Sequence, residues 1–195
     1  MSKSYLYLSL IALTLLGGII YESDIRNSLV SSASNPVYSV RDLEVKHILP
    51  DPIKHPGKIN AKQIDFCQIK TSTVRPPSSY TSKLKAEQLM DEGYTMKNPS
   101  LYEEDHVVSL TLNGDPKAPE NLWPQPYNVT LNGQPMGARQ KDKLELYLHN
   151  QICAGKMTYT EAQMMMTTNW VQYYKKYSLD KQTFGAGDNS AIPED

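Results

Sequence analysis

Hydrophobic residues recur along this chain in three rhythms, and each rhythm predicts a different kind of element. The first is a nearly unbroken run at positions 5–20, Tyr-Leu-Tyr-Leu-Ser-Leu-Ile-Ala-Leu-Thr-Leu-Leu-Gly-Gly-Ile-Ile, led by Lys3 and followed by Glu22 and Asp24. It approaches the length of about 17 residues that a membrane-spanning helix needs. It also matches the apolar region of a signal peptide, with Gly17-Gly18 as small residues near a cleavage point. Both readings stay open, and Lys3 on the short leading side sends the rest of the chain out of the cytoplasm in either. The second rhythm has the helical period. Positions 81–92 are rich in helix formers and stop at Gly93, and a helix is predicted over 138–154, closed by Gly155, with Leu144, Leu148 and Ile152 as its buried stripe beside Tyr147. Thr158-Tyr159-Thr160-Glu161 is a capping box that opens a last helix, with Ala162, Met166, Trp170, Tyr173, Tyr174 and Tyr177 on its apolar side. The third rhythm is that of a strand. Val107, Val108, Leu110 and Leu112 predict one, and Asn113-Gly114-Asp115 predicts the turn that folds it into a hairpin.

Between these elements the chain is irregular. Ser-Leu-Val-Ser-Ser-Ala-Ser-Asn at 28–35 reads as a flexible tether, and 36–79 holds Pro50, Pro52, Pro56, Pro76 and Pro77 with one short strand expected over 64–69. The expected organisation is therefore a signal peptide or anchor at 1–21, a tether at 22–35, one domain at 36–177 whose core lies near 99–155, and a disordered tail at 178–195. The fold class is α+β.

Charge narrows the function classes. With 20 basic and 21 acidic side chains the net charge is −1, so no global basic field exists for nonspecific nucleic-acid binding. Any grip on nucleic acid needs a local patch. The two cysteines, Cys67 and Cys153, are a candidate disulfide in an exported chain, the other reading being two buried thiols. No Cys-x-x-Cys pair occurs, so no structural zinc is expected.

The chemistry concentrates in Asp105-His106 and in Asn121, with Glu103 close by. A neutral imidazole can take a proton from water at pH 7, while carboxylate and amide oxygens are hard donors suited to magnesium, manganese or calcium. Those are the parts of a one-metal phosphodiesterase, although Asp-His alone is a common dipeptide. On a strand neighbouring side chains point apart, so Glu103 shares a face with Asp105 and Glu104 shares one with His106.

Glu103-x-Asp105-His106, Asn121-Leu122-Trp123-Pro124-Gln125-Pro126, Lys141-Asp142-x-x-Glu145 and Ala162-Gln163 with Trp170 resemble the motifs of a family of small exported bacterial proteins described as HNH-like (His-Me finger) nucleases. The resemblance spans roughly residues 49–177 and implies a ββα-metal core with extra helices and a Pro-rich amino-terminal wrap. It further implies a divalent-metal-dependent endonuclease acting on DNA or RNA, with His106 as general base and Mg2+, or Mn2+ or Ca2+, as cofactor. Asp105 is then a metal ligand, Asn121 is a ligand or the residue that fixes the loop carrying one, and Asp142 is the candidate third ligand. Glu103, Arg75 and Lys141 become substrate-binding or supporting residues. Two departures stand out. Asp51-Pro52-Ile53-Lys54-His55-Pro56-Gly57 lacks a cysteine that the family often carries there, and no histidine or asparagine follows Asn121 at the usual spacing, His149 being too far down its helix. The alternative is a noncatalytic interaction protein, secreted or held to the envelope, that keeps the scaffold. Nucleic acid and, through the amino-terminal segment, a membrane are the expected partners, in the periplasm, on a membrane or outside the cell.

Overall fold

A computed structural model describes residues 45–181; the predicted signal peptide or anchor, the tether and all of the predicted tail beyond Lys181 lie outside the described residues. The fold is mixed α+β, with three helices and two small antiparallel sheets. In chain order these are α1 (Ser78–Asp91), β1 (Tyr102–His106), β2 (Leu122–Pro126), β3 (Val129–Leu131), β4 (Gln134–Met136), α2 (Ala138–Cys153) and α3 (Tyr159–Lys176). Among the described residues no helix is long and apolar enough to cross a membrane.

The three helices begin and end for reasons visible in their flanks. α1 starts three residues before the predicted position, because Pro77 holds an extended conformation at φ −64° and ψ 144° and presents its carbonyl to the first turn. It ends where expected, with Gly93 at φ 76°. The capping box opens α3 as predicted: the Thr158 hydroxyl accepts from the Glu161 amide at 3.2 Å, and Glu161 accepts from the Thr158 amide at 2.8 Å. Inside α3, Asn169 leaves helical geometry (φ −164°, ψ 84°) and its side chain caps the Gln172 amide at 3.1 Å, so the helix bends there.

Two strand expectations need correction. The apolar run 107–112 is not a strand: β1 lies just before it, and Leu110–Leu112 is a turn of 3-10 helix. The run is buried as part of an irregular loop whose backbone amides bond within the loop and to Asn121, so burial without alternation explains it. Asn113 does turn the chain, in the left-handed region at φ 66°, but the return strand follows only after the rest of the loop. Residues 64–69 likewise form turns, with Phe66 buried beneath them. A small hairpin, β3 paired with β4, lies in a stretch with no predicted element; its signal is Asn132-Gly133 between short apolar runs, with both residues at positive φ.

The core is packed between α2 and α3. Leu144, Leu148, Ala162, Met166 and Trp170 meet Val108 and Leu112 from the loop and Val129 and Met136 from the hairpin. Trp170 donates its indole N–H to the Ile48 carbonyl at 2.9 Å, which fastens the amino-terminal wrap to the core. A second cluster, Leu89, Tyr94 and Tyr102, seats α1 on the other face of β1. Cys67 and Cys153 are disulfide-bonded, with Cα atoms 5.6 Å apart, and tie the wrap to the end of α2.

That bond closes a loop of sequence separation 86. Chain-entropy reasoning assigns such a loop about 4.6 kcal/mol. The double variant Cys67→Ala, Cys153→Ala should lose stability of that order in urea titration under nonreducing conditions, and a loss below about 1 kcal/mol would show that the wrap is held by packing alone.

Candidate functional site

The site is built around the end of β1, and Asn121 fixes the loop that leaves it. The Asn121 side chain is fully buried and uses every bonding position it has. Its Oδ1 accepts from the amides of Val108 (2.9 Å) and Lys58 (3.2 Å), and its Nδ2 donates to the carbonyls of Val108 (3.0 Å) and Asp115 (2.9 Å). Gly114 lets this loop close, because a Cβ there would overlap the Val108 carbonyl. One product of the loop is the placement of the Pro116 carbonyl 3.2 Å from His106 Nε2. A carbonyl only accepts, so Nε2 carries the proton and Nδ1 of the neutral ring keeps its lone pair.

On the opposite side of the strand lies a buried charge cluster. Lys141, in the first turn of α2, is wholly buried. Its ammonium contacts Asp105 Oδ2 at 2.7 Å and the His106 carbonyl at 2.6 Å, and pairs with Glu145 one turn further along the helix. These three acceptors match the three donors of an ammonium group. Burial alone would lower the Lys141 pKa, but Asp105 and Glu145 outweigh it and hold the group protonated. Burial pushes the Glu145 carboxyl up, against the pull of Lys141.

Between β1, the loop after it, the segment that holds Thr71 and Arg75, and α2, a narrow cavity of about 30 Å³ opens beside His106, lined also by Glu103, Glu104, Asp105, Asp142, Glu145 and His149. It admits one or two water molecules, by the size of a water-sized probe. A wider cavity of about 310 Å³ shares Arg75, Glu103, Glu104 and His106 with it and continues past Lys85, Ser78, Thr81 and Tyr127. His106 and Glu104 thus border both spaces, as does Glu103. Burial lowers the His106 pKa to about 4, opposed by Asp105 and the Pro116 carbonyl. Burial raises the Glu104 carboxyl to about 9, against the pull of Lys85 and with help from Asp105. Both Glu104 oxygens are buried and without a hydrogen-bond partner. At neutral pH the imidazole is uncharged and the Glu104 carboxyl holds its proton.

Comparisons with models of protein families, with curated proteins and with solved structures give no match. The reading of the site therefore rests on its geometry.

The expected site residues are sorted as follows by that geometry. His106, Asp105, Glu103, Arg75 and Asp142 line one cleft, while Asn121 stands outside it as the loop's fastener. Of the two roles the resemblance left open for Asn121, the geometry matches the fixing of the loop. Asp105 spends one oxygen on Lys141 and the other on the His106 amide at 2.7 Å. Asp142 sits 3.7 Å from Arg139. With Asn121 outside the cleft and both Asp105 oxygens engaged, Asp105, Asn121 and Asp142 do not fit a shared metal ion. Lys141 has no donor left for a phosphate and acts on the site by holding Asp105 and the His106 carbonyl. Cys67, His149 and Cys153 approach one another within 4.8 Å, but both sulfurs are in the disulfide. Glu104 is the residue of this cleft that spacing alone did not single out; its only signal was its place on the histidine's side of the strand.

Two outcomes follow. Lys141→Met strands two buried carboxylates and should cost about 3–5 kcal/mol in denaturant titration; a loss under about 1 kcal/mol would show that the pair repacks. Glu104, with its folded-state pKa raised, contributes stability that is complete below its ordinary value of 4.5 and is lost as pH rises towards about 9. Glu104→Gln should therefore melt close to the wild type at pH 4 and above it at pH 8, measured by circular dichroism, and coincident melting temperatures at pH 8 would contradict the burial of this carboxyl.

Proposed function

We propose that the cleft hydrolyses phosphodiester bonds of DNA or RNA, with His106 as general base. The observation that carries this is the neutral His106 ring, oriented through Nε2 by the Pro116 carbonyl and open to the cleft beside Arg75. Water bound next to Nδ1 loses its proton to the ring as it attacks phosphorus. Arg75, half-buried where the two cavities meet, suits a pair of nonbridging phosphate oxygens through its planar fork. Lys141 and Asn121 hold the base in place from either side of the strand end. This order of parts, strand, fastened loop, strand and helix, is consistent with the HNH-like resemblance. The disulfide is consistent with action outside the cytoplasm, in the periplasm, on a membrane or after secretion. A hard divalent ion such as magnesium belongs to this reading only as a component to be tested, because the three residues expected to hold it are otherwise engaged.

The engagement of Asp105 by Lys141 favours a second reading, a noncatalytic interaction module that keeps the scaffold. The two separate in one assay. Purified protein incubated with supercoiled plasmid or single-stranded RNA, with magnesium, manganese or EDTA, should cleave at least one substrate, and His106→Ala should lower the rate by about 10²–10⁴-fold. No cleavage by folded protein in any condition would leave the noncatalytic module standing.

A further inference from the structure

Resting on the phosphodiesterase reading, we propose that Glu104 is the general acid of the reaction, donating its carboxyl proton to the leaving oxygen while His106 takes a proton from the attacking water. Both residues stand on one face of β1, two positions apart, and both line each of the two cavities together with Arg75. Successive same-face residues on a strand are separated by roughly 6.8 Å. In an in-line displacement the attacking and leaving oxygens lie on opposite sides of phosphorus, each within a hydrogen bond of its proton partner. The strand spacing therefore matches an acid and a base that work at the two ends of one phosphate.

The environment supplies the protonation states. Glu104 keeps two buried oxygens without a partner, the condition under which a carboxyl stays neutral, and the charged groups acting on it are Lys85 from α1, Asp105 beside it on the strand and Glu92. Arg75, Glu103 and His106 share its cavities. Two titratable groups driven in opposite directions at one cleft are the pattern of an acid–base pair. The balance is complete without another reactant. The water oxygen forms a bond to phosphorus and its proton goes to His106 Nδ1; the bond from phosphorus to the leaving oxygen breaks and that oxygen takes the Glu104 proton. Exchange with solvent then returns the imidazolium and the carboxylate to their starting forms.

The test uses leaving groups that differ in their need for a proton. The full chain is assayed on a DNA or RNA oligonucleotide, whose leaving alkoxide needs protonation, and on bis(p-nitrophenyl) phosphate, whose leaving phenolate does not. Glu104→Gln should slow the oligonucleotide by about 10²–10⁴-fold and the nitrophenyl ester by less than about threefold, with His106→Ala slow on both. The alkaline limb of the oligonucleotide rate, expected near the Glu104 value of about 9, should vanish in the residual activity of the variant. Equal losses on both substrates, or no loss on the oligonucleotide, would overturn the assignment. Should Glu104→Gln not fold, a series of substituted phenyl esters with the wild type decides: a shallow dependence on leaving-group pKa supports a proton donor and a steep one refutes it. A wild type inactive on both substrates would remove the phosphodiesterase reading, and this assignment with it.

Discussion

The Lys141 ammonium, bonded to Asp105, Glu145 and the carbonyl of His106, is the interaction on which the arrangement of this protein depends. An isolated charge buried to this degree would be expelled or neutralised, so the two carboxylates and the carbonyl are conditions for its presence. In return the charge fixes the end of β1 against the first turn of α2. The strand and the helix come from sequence positions far apart, and apolar packing alone would leave their relative height adjustable. An ammonium with three fixed acceptors does not slide. The position of the His106 backbone, and hence of its ring, is set on one side by this contact and on the other by the loop that Asn121 fastens.

That division explains which parts of the molecule could be read before its shape was known. The helices were legible because their signals are local: a capping box at Thr158 and Glu161, glycines after the last turns, and apolar residues every fourth position in α2. Val107, Val108, Leu110 and Leu112 misled because burial and alternation are separate properties. Their side chains are all buried, yet the backbone around them bonds to Asn121 and to itself rather than to a neighbouring strand. The β3–β4 hairpin carried its Asn-Gly turn in plain view, but its strands are too short to show a period.

Of the candidate site, His106 and its neighbours on β1 were legible as a cluster of residue types. Their division of labour was not. Whether Asn121 binds a metal or a loop depends on which groups meet its amide, and those come from Lys58, Val108 and Asp115. Whether Asp105 is available depends on a lysine of another element, and a motif that contains Lys141 does not say which way it points. Glu104 was hidden for a simpler reason: a carboxyl buried without a hydrogen-bond partner looks in sequence like any acidic residue on a surface strand.

The disulfide gives the site a dependence on place. Cys67 precedes Thr71 and Arg75, which wall the cleft, and Cys153 ends the helix that carries Glu145 and His149. The covalent staple thus joins the two rims of the cleft rather than two remote parts of the core. In a reducing compartment those rims are held only by noncovalent contacts. The wall that carries Arg75 is therefore clamped covalently to the helix across the cleft only where the two thiols can be oxidised, and the shape of the cleft is coupled to redox conditions.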